Sequence, residues 1–262
     1  MPVQPGVRRL DLWGVLLLCA FSILVGWSVA RSTATPAAGL NEQRRAEERS
    51  ALRAAYGPEK HSEFEEEWII RDFFKDERNR VFVDVGASHH QRFSNTWYLE
   101  TSLEWSGIAV DALPQFAEGY REHRPKTRFF SFFVSDVSDD WAKLYVLEHH
   151  SLVSSATPEF TRQWGADVRQ LEVKTITLND LLTAAGMASF DFLSMDIELA
   201  EPKALAGFDI ERYRPRLVCV EGHREVRQQI LDYFARHGYV VVGKYLRADT
   251  QNLWFTPIHA IN

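Results

Sequence analysis

The hydrophobic positions of the chain fall into short runs rich in β-branched residues, separated by stretches with helical periodicity. Short apolar runs bounded by turn residues are typical of buried strands in a parallel sheet. The alternation predicts an α/β fold class, with a doubly wound, mostly parallel, seven-stranded Rossmann-like sheet. The runs that predict these strands are Val81–Val85, Gly107–Asp111, Thr127–Ser135, Phe190–Asp196, Arg216–Glu221, Tyr239–Tyr245 and Asn252–Thr256.

Amphipathic stretches between these runs predict the helices. Ser62–Lys75 begins with a capping serine and acids in its first turn, and its apolar residues form one stripe. Further short strands are predicted at Trp141–Leu147 and Leu171–Ile176, with a Ser/Thr-rich loop and short helix at Ser151–Trp164 between them. The other predicted helices are Phe93–Trp105, Leu113–His123, Leu178–Ala184, a segment ending near Phe208, and Arg224–His237.

The N-terminal region has a different pattern from the rest of the chain. After a tail at residues 1–11, Leu12–Ala30 contains no charged residue. At a rise of about 1.5 Å per residue it would be about 28 Å long, close to the hydrocarbon thickness of a bilayer. This length favours a single transmembrane anchor or uncleaved signal over a cleaved signal peptide, which Ser28–Ala30 would end. The composition of residues 31–59 predicts a solvated helical stalk, and residues 60–262 are predicted to form the main folded domain.

The composition argues against nucleic acid as a partner and against a disulfide bond. The 262 residues carry a formal net charge of −6 and no run of basic residues on a predicted helix, which argues against nucleic acid. The two cysteines, Cys19 and Cys219, fall in the N-terminal apolar run and in a predicted core strand, so no disulfide is expected.

Acidic residues stand at the carboxyl ends of five predicted strands. In an open α/β sheet, ligands bind at these ends. Gly86 follows the first strand and permits a sharp turn with close approach of a ligand to the backbone. An acid at the end of the second strand suits the two hydroxyls of a ribose. The set therefore predicts one binding site rather than separate helix caps, and its members are Asp84, Asp111, Asp136, Asp196 and Glu221.

Seven segments of the chain, in order, resemble the FkbM-type methyltransferases, a branch of the class I enzymes that depend on S-adenosylmethionine. The resemblance covers most of residues 57–257, and Glu201 is a further matched position. It implies an enzyme that transfers a methyl group from S-adenosylmethionine to a hydroxyl. The matching segments are Phe82–Ala87, Ser94–Thr96, Trp105–Asp111, Val173–Leu182, Asp191–Glu198, Leu205–Phe208 and Arg214–Glu221.

The resemblance also implies roles for individual residues. The methionine and sulfonium side of the cofactor would contact the first loop, the ribose would bind Asp111 beside Ala112, and Ser135 and Asp136 would border the adenine. The implied cofactor-binding set is Asp84, Gly86, Ala87, Ser88, Asp111, Ala112, Ser135, Asp136 and Asp196. The implied catalytic set, facing the methyl group and the acceptor, is Asp196, Glu198, Glu221 and His223. His90 departs from the family pattern, because many relatives have a second glycine there.

The chemistry of methyl transfer to an alcohol explains why acids are needed. The sulfonium is already a strong methyl donor, so the enzyme must align the displacement and take a proton from the hydroxyl. We expect Asp196 or Glu198 to act as the base, with His223 as a partner. Alternatively, a divalent metal held by Asp196, Glu198 and Glu221 would lower the pKa of the alcohol.

Two other functions fit parts of the pattern. A membrane-anchored glycosyltransferase would use Asp196-x-Glu198 as its metal motif. However, the sequence has no basic cluster that could bind the pyrophosphate of a sugar nucleotide. A non-catalytic cofactor-binding module would explain His90. For the leading hypothesis, the acceptor is a small molecule or a glycan, lipid-linked or secondary-metabolite hydroxyl. Because S-adenosylmethionine is made in the cytosol, we expect a single-pass membrane protein with its catalytic domain on the cytosolic side, and the lumenal orientation stays open.

Overall fold

The computed structural model describes residues 36–147 and 150–258. The predicted tail at residues 1–11 and the predicted anchor at residues 12–30 lie outside the described residues. None of the helices in the described ranges has both the length and the apolar character that a membrane span needs. Contacts divide the chain into two units, Met1–Glu47 and Glu48–Asn262, and the second contains both sheets.

The described residues form eleven strands and nine α-helices, with two short 3₁₀ segments at Pro114–Phe116 and Gly243–Tyr245. The strands are β1 Val81–Val85, β2 Ser106–Asp111, β3 Thr127–Ser131, β4 Phe133–Val134, β5 Trp141–Leu147, β6 His150–Ser155, β7 Val168–Ile176, β8 Phe192–Met195, β9 Leu217–Glu221, β10 Tyr239–Val241 and β11 Asn252–Pro257. The helices are α1 Pro36–Tyr56, α2 Glu66–Phe74, α3 Trp97–Leu103, α4 Ala117–His123, α5 Pro158–Arg162, α6 Leu178–Ala184, α7 Glu201–Ala206, α8 Ile210–Tyr213 and α9 Arg227–Arg236.

The main sheet has seven strands in the order β10-β11-β9-β8-β1-β2-β3. Strands β3, β2, β1, β8 and β9 pair in parallel, and β11 is antiparallel to both of its neighbours. The predicted seven-stranded, mostly parallel sheet is therefore confirmed.

Side chains of the central strands alternate between two hydrophobic cores. Val83 and Val85 of β1 face the core that contains α6, α7, α8 and α9, whereas Phe82 faces the core that contains α2 and α3. In β9, Val218 and Cys219 divide in the same way. This period of two, with helices on both faces, is what makes the sheet doubly wound.

A second sheet of four strands, in the order β4-β7-β5-β6, is inserted between β3 and β8. Two predictions in this region are wrong. The predicted strand Thr127–Ser135 is divided, because the chain leaves the main sheet after Ser131 and Phe133 packs against Leu144 and Val146 of the inserted sheet. Part of the predicted loop at Ser151–Trp164 is strand β6, which pairs with β5 in an antiparallel arrangement.

The last turns of α1 belong to the second unit. They are partly buried, whereas the sequence predicts a stalk that is solvated along its whole length. Leu52 is buried, the Arg49 Nε donates a hydrogen bond to the Ala248 carbonyl at 3.1 Å, and the Tyr56 hydroxyl donates to Asp72 at 3.0 Å. Leu52 and Tyr56 are four residues apart and share one helix face, which explains why this end of α1 packs on the domain. The predicted domain boundary at residues 59 and 60 stays a prediction.

Candidate active site

The turn after β1 requires a glycine at residue 86. Gly86 has a φ of +81°, and a Cβ built there would lie 1.7 Å from the carbonyl oxygen of Asp196. Any side chain would therefore collide with the backbone that follows β8. The close approach places the first loop directly against the residues predicted to be catalytic.

Asp84 is buried in β1 and accepts a hydrogen bond from a hydroxyl that a buried arginine contacts in turn. The Thr96 hydroxyl donates to Asp84 Oδ2 at 2.8 Å, and Arg124 donates to the same Thr96 oxygen at 3.1 Å. Arg124 is itself buried and paired with Glu100 at 2.6 Å. Burial raises the pKa of Asp84 to about 6, while the contacts with Thr96, Arg124 and Ser194 act in the opposite direction.

Asp111 ends β2 and accepts two backbone hydrogen bonds. The N–H of Ser88 donates to one carboxylate oxygen at 3.0 Å and the N–H of Leu113 donates to the other at 2.8 Å. Burial raises the pKa of Asp111 to about 6, against the lowering effect of these two donors. Ser88 has a φ of +48°, and its buried hydroxyl has no hydrogen-bond partner among the described residues. An unpartnered hydroxyl beside a carboxylate is suited to a polar ligand.

Two adjoining hollows meet at these residues. The narrower one extends from Gly86 and Ser88 past Asp111 and Ala112 to Phe133, Val134 and Leu144. The wider one is a cleft of about 420 Å³ that contains Asp84, Ala87 and the predicted catalytic residues. Both hollows are lined by Gly86, Ser88, Asp196 and Glu198.

Ser135 and Asp136 do not line either hollow. Ser135 is buried and its hydroxyl donates to Asp136 at 3.0 Å, while Asp136 is exposed and lies 3.6 Å from Lys203. They follow β4, so the expectation that Asp136 ends a strand of the main sheet is wrong. The residues just before them, Phe133 and Val134, line the narrower hollow instead. Their predicted contact with adenine stays a prediction.

The four predicted catalytic residues line the wider cleft together. The Nε2 of His223 lies 3.1 Å from Glu198 Oε2 and 2.9 Å from Glu221 Oε2, so one imidazole pairs with two carboxylates. Glu198 adopts a left-handed φ of +55° immediately after β8. The Ser155 hydroxyl of the inserted sheet donates to the Glu198 carbonyl at 2.6 Å, which supports this strained turn.

The ionisable groups in this cluster shift one another's pKa values. Hydrogen bonds to Glu198 and Glu221 raise the pKa of His223 to about 10, so the imidazole is protonated at neutral pH. Burial, together with repulsion from Glu221 and Glu198, raises the pKa of Asp196 well above its usual value. Burial also raises the pKa of Glu198, against the effect of His223.

Glu201 is a buried member of the cluster that the sequence did not assign to the site. One of its carboxylate oxygens accepts from the Ile197 N–H at 3.0 Å, and the other has no hydrogen-bond partner among the described residues. Burial raises its pKa to about 7. The sequence signal for Glu201 was that it matches a position of the FkbM family pattern.

Two groups of side chains could each hold a metal ion, because their ligand atoms lie within 4.8 Å of one another. They are Glu198, Glu221 and His223, and Asp196, Glu201 and Glu221.

His90 does not line either hollow, so it does not crowd the residues predicted to bind the cofactor. Its ring stacks on His89 at 4.2 Å and lies 4.7 Å from His123, and a Cβ at Gly119 would approach its Nδ1 to 2.3 Å. Its carbonyl accepts a hydrogen bond from Arg124 at 2.8 Å. Burial lowers the pKa of His90 to about 4, so the ring is neutral at physiological pH.

Comparison with solved structures finds methyltransferases. A TehB-like SAM-dependent methyltransferase from Corynebacterium glutamicum ATCC 13032 Kitasato is 14% identical, with a TM-score of 0.42 and coverage of 84% of this chain and 99% of that one. A precorrin-6y C5,15-methyltransferase from Geobacter metallireducens GS-15 is 9% identical, with a TM-score of 0.41 and coverage of 67% and 71%. With both TM-scores below 0.5, these likenesses carry no weight in assigning the chain.

A 1,6-didemethyltoxoflavin-N1-methyltransferase from Burkholderia thailandensis, solved with 1,6-didemethyltoxoflavin and S-adenosylhomocysteine, is 12% identical. Its TM-score is 0.36, and the match covers 97% of this chain and 92% of that one. No sequence match was found among curated proteins.

The assignment rests on the match between residues 84–241 and the methyltransferase FkbM domain. This match covers more than half of the chain and includes the first loop, the inserted sheet and the carboxylate cluster. The chain therefore belongs to the FkbM-domain family and is an S-adenosylmethionine-dependent methyltransferase.

Proposed function

We propose that the protein transfers the methyl group of S-adenosylmethionine to a hydroxyl of a glycan, lipid-linked or secondary-metabolite acceptor. The observation that carries this proposal is the Glu198–His223–Glu221 cluster, which lies in the same cleft as Gly86 and Asp84. In this proposal the cluster supplies a proton acceptor beside the loop that would bind the methyl donor.

The residues around the first loop fit the cofactor. Asp111 offers carboxylate oxygens to a ribose, and the unpartnered Ser88 hydroxyl offers one more polar contact. Acids around Gly86 suit the positive charges of the sulfonium and of the amino group. When bound, the cofactor supplies an electrophilic methyl group, and the protein supplies alignment and proton transfer.

The charge of the cleft favours a hydroxyl over an amine as the acceptor. Six carboxylates line the cleft, and an acidic surrounding raises the pKa of an amine. A protonated amine has no free electron pair with which to attack a methyl group. An alcohol is neutral, and it loses its proton only during the attack.

The proton states within the cluster favour Glu198 as the base. His223 is protonated at neutral pH and donates to Glu198, while the pKa of Asp196 is raised by burial and by repulsion from Glu221 and Glu198. Glu198 accepts from His223, and its raised pKa gives it a stronger affinity for the proton of the acceptor. In the proposed step the acceptor oxygen bonds to the methyl carbon, the carbon–sulfur bond breaks, the proton moves to Glu198, and S-adenosylhomocysteine leaves.

A divalent cation is a second way to activate the acceptor hydroxyl. The oxygens of Asp196, Glu201 and Glu221 lie close enough to one another for a hard cation, and one oxygen of Glu201 has no hydrogen-bond partner among the described residues. Treatment of the purified protein with a chelator, followed by addition of Mg²⁺ or Mn²⁺, separates the two routes. Activity that survives chelation supports proton transfer to Glu198 alone.

The test of O-methylation uses the full chain and S-adenosylmethionine labelled with ¹³C in its methyl group. A panel of alcohols, sugars, amines, thiols and carboxylic acids is incubated with it, and the product is located by NMR from the chemical shift of the new methyl carbon. We expect a methyl ether. A methyl group on nitrogen, sulfur or a carboxylate would contradict the proposal, as would the lack of saturable cofactor binding in calorimetry.

Membrane attachment through residues 12–30 is also proposed, with the catalytic domain on the cytosolic side, where the cofactor is made. Its support is the uncharged 19-residue run of the sequence. Fractionation of cells that express the full chain is the test. We expect the protein in the membrane fraction after an alkaline wash, with the domain open to protease from the cytosolic side; recovery in the soluble fraction would contradict the proposal.

A further inference from the structure

The opening of the wide cleft carries two exposed aromatic side chains. Trp164 is 62% exposed and Phe93 is 44% exposed, and both line the cleft that contains the carboxylate cluster. Large apolar side chains that are exposed at the rim of a polar cleft mark a surface that a ligand covers. Neither residue has a role in the reaction described above.

The segment that carries Trp164 is anchored by packing. The preceding helix α5 buries Phe160 and Thr161, and the Thr161 hydroxyl donates to the Tyr145 carbonyl of the inserted sheet at 3.2 Å. The Trp164 N–H donates to the Thr161 carbonyl at 3.1 Å. Phe160 meets the ring of His223 edge-on at 5.0 Å, so α5 connects the rim to the carboxylate cluster.

The ionisable side chains that line the cleft are almost all acidic. Among the described lining residues, His223 is the only side chain that carries a positive charge, and there is no lysine or arginine. An acceptor with a phosphate or carboxylate would be repelled by this lining. The guanidinium of Arg92 lies 5.2 Å from the centre of the Phe93 ring, but Arg92 does not itself line the cleft. The acidic lining residues are Glu63, Glu66, Asp84, Asp196, Glu198 and Glu221.

From these observations we propose that Trp164 and Phe93 form the acceptor subsite, and that its ligand is an uncharged, multiply hydroxylated ring such as a neutral sugar. The C–H groups on one face of such a ring carry partial positive charge and pack on the negative face of the indole. The hydroxyls on its edge then reach the carboxylates of the cleft. This inference rests on the proposed O-methylation and adds the class of acceptor and the residues that select it.

The first experiment compares matched acceptors with the full chain. Methyl glycosides of neutral hexoses and 6-deoxyhexoses are compared with the corresponding uronic acids and 6-phosphates, and kcat/KM is measured from transfer of the labelled methyl group. We expect the neutral rings to be at least about tenfold better than their anionic counterparts, because like charges at close range repel in a partly buried site. Equal or better transfer to the anionic sugars overturns the inference.

The second experiment substitutes the aromatic side chain. We expect Trp164→Ala to raise KM for the neutral sugar about tenfold with little change in kcat, and Trp164→Phe to restore most of the affinity. Trp141→Ala is the matched control, because Trp141 is also exposed, at 60%, and does not line the cleft. Cofactor affinity and thermal unfolding of all three variants should equal those of the wild-type protein.

The results separate the subsite from the reaction. An unchanged KM in Trp164→Ala, or the same change in Trp141→Ala, overturns the subsite while O-methylation stands. Transfer to acyclic alcohols but to no ring does the same. Transfer to nitrogen, or cofactor binding with no transfer to any hydroxyl, overturns the proposed function and the subsite with it.

Discussion

The two ends of the proposed site, one for the cofactor and one for the acceptor, use carboxylates in different ways. At the cofactor end, Asp84 and Asp111 accept hydrogen bonds from a hydroxyl and from backbone N–H groups. At the acceptor end, Glu198 and Glu221 share a single protonated imidazole, that of His223. The first end has fixed acceptors for a ligand's donors, whereas the second has the charged groups that would take a proton from the acceptor in the proposed step.

This difference has a consequence for mutations. A substitution at the cofactor end should change the affinity for S-adenosylmethionine and leave the chemical step nearly intact. A substitution at the acceptor end should change the chemical step and leave cofactor affinity nearly intact. The comparison is therefore tested by measuring the cofactor Kd and kcat on the same variants.

The largest effect is expected for Glu198→Gln. The amide keeps the shape of the side chain but cannot take the proton, and loss of a general base costs about 10²–10⁴-fold in rate. We expect kcat to fall by that factor, measured by transfer of labelled methyl groups. Cofactor Kd, measured by calorimetry, should stay at its wild-type value.

Glu211→Gln is a suitable control for this change, because Glu211 is exposed on α8 and pairs with His237 away from the cleft. It should be as active as the wild-type protein. An active Glu198→Gln variant would mean that another group takes the proton, and the distinction between the two ends would then fail at its main point.

A smaller effect is expected for Thr96→Val. The substitution removes the hydroxyl that donates to Asp84 while it nearly preserves the volume of the side chain. Loss of one hydrogen bond to a buried carboxylate is expected to weaken cofactor binding about tenfold. Calorimetry with S-adenosylmethionine measures this change, and kcat at saturating cofactor should change little.

Thr96→Ser separates the hydroxyl from general packing, since it keeps the donor and loses a methyl group. We expect it to bind the cofactor almost as tightly as the wild-type protein. If Thr96→Ser and Thr96→Val weaken binding equally, the contact with Asp84 has no role in cofactor affinity.

The last prediction is a difference between the pH profiles of the two ends. Burial raises the pKa values of Asp84 and Asp111 to about 6, so each is ionised above that pH and protonated below it. Cofactor affinity should therefore be constant above pH 7 and fall as the pH drops through 6, by about tenfold per pH unit for each carboxylate that must be ionised. Calorimetry between pH 5 and pH 8 is the measurement.

At the acceptor end, the pH dependence of kcat should appear in the alkaline range. The pKa of His223 is raised to about 10, so its proton, and the ion pair with Glu198, persist through pH 9 and are lost as the pH rises through 10. At saturating cofactor, kcat should change as the pH rises through 10.

The Thr96→Val variant tests the assignment of Asp84 to the cofactor end. Loss of the Thr96 hydroxyl must raise the pKa of Asp84, so a midpoint of cofactor binding that stays at the same pH would contradict this assignment.

The sequence predicted the structure best at positions where a single physical requirement determines the type of residue. The apolar runs predicted the central strands, and Gly86 marked a turn that only glycine permits. Of the five acids expected at strand ends, four line the two adjoining hollows: Asp84, Asp111, Asp196 and Glu221. Parallel strands bring their carboxyl ends to one edge of a sheet, so order along the chain was enough to place these residues.

Contacts between distant residues could not be predicted in this way. Arg124 reaches Thr96 and Glu100 from another helix, and nothing in its local sequence distinguishes it from a surface arginine. Asp136 was misplaced because a short apolar run does not show where one sheet ends and another begins. The serine-rich sequence around β6 favours a loop, because such segments also form turns, and only its pairing with β5 makes it a strand.

The absence of a side chain at Gly86 has a mechanical consequence for the enzyme. The carbonyl of Asp196 occupies the space that a Cβ would need, so the loop after β1 and the loop after β8 rest on each other. The Asp196 N–H also donates to the Val85 carbonyl at 3.0 Å, so the two segments are joined by a hydrogen bond as well as by this close contact. If the proposed roles hold, we expect a cofactor bound against residues 86–88 to affect the position of the segment that carries Glu198.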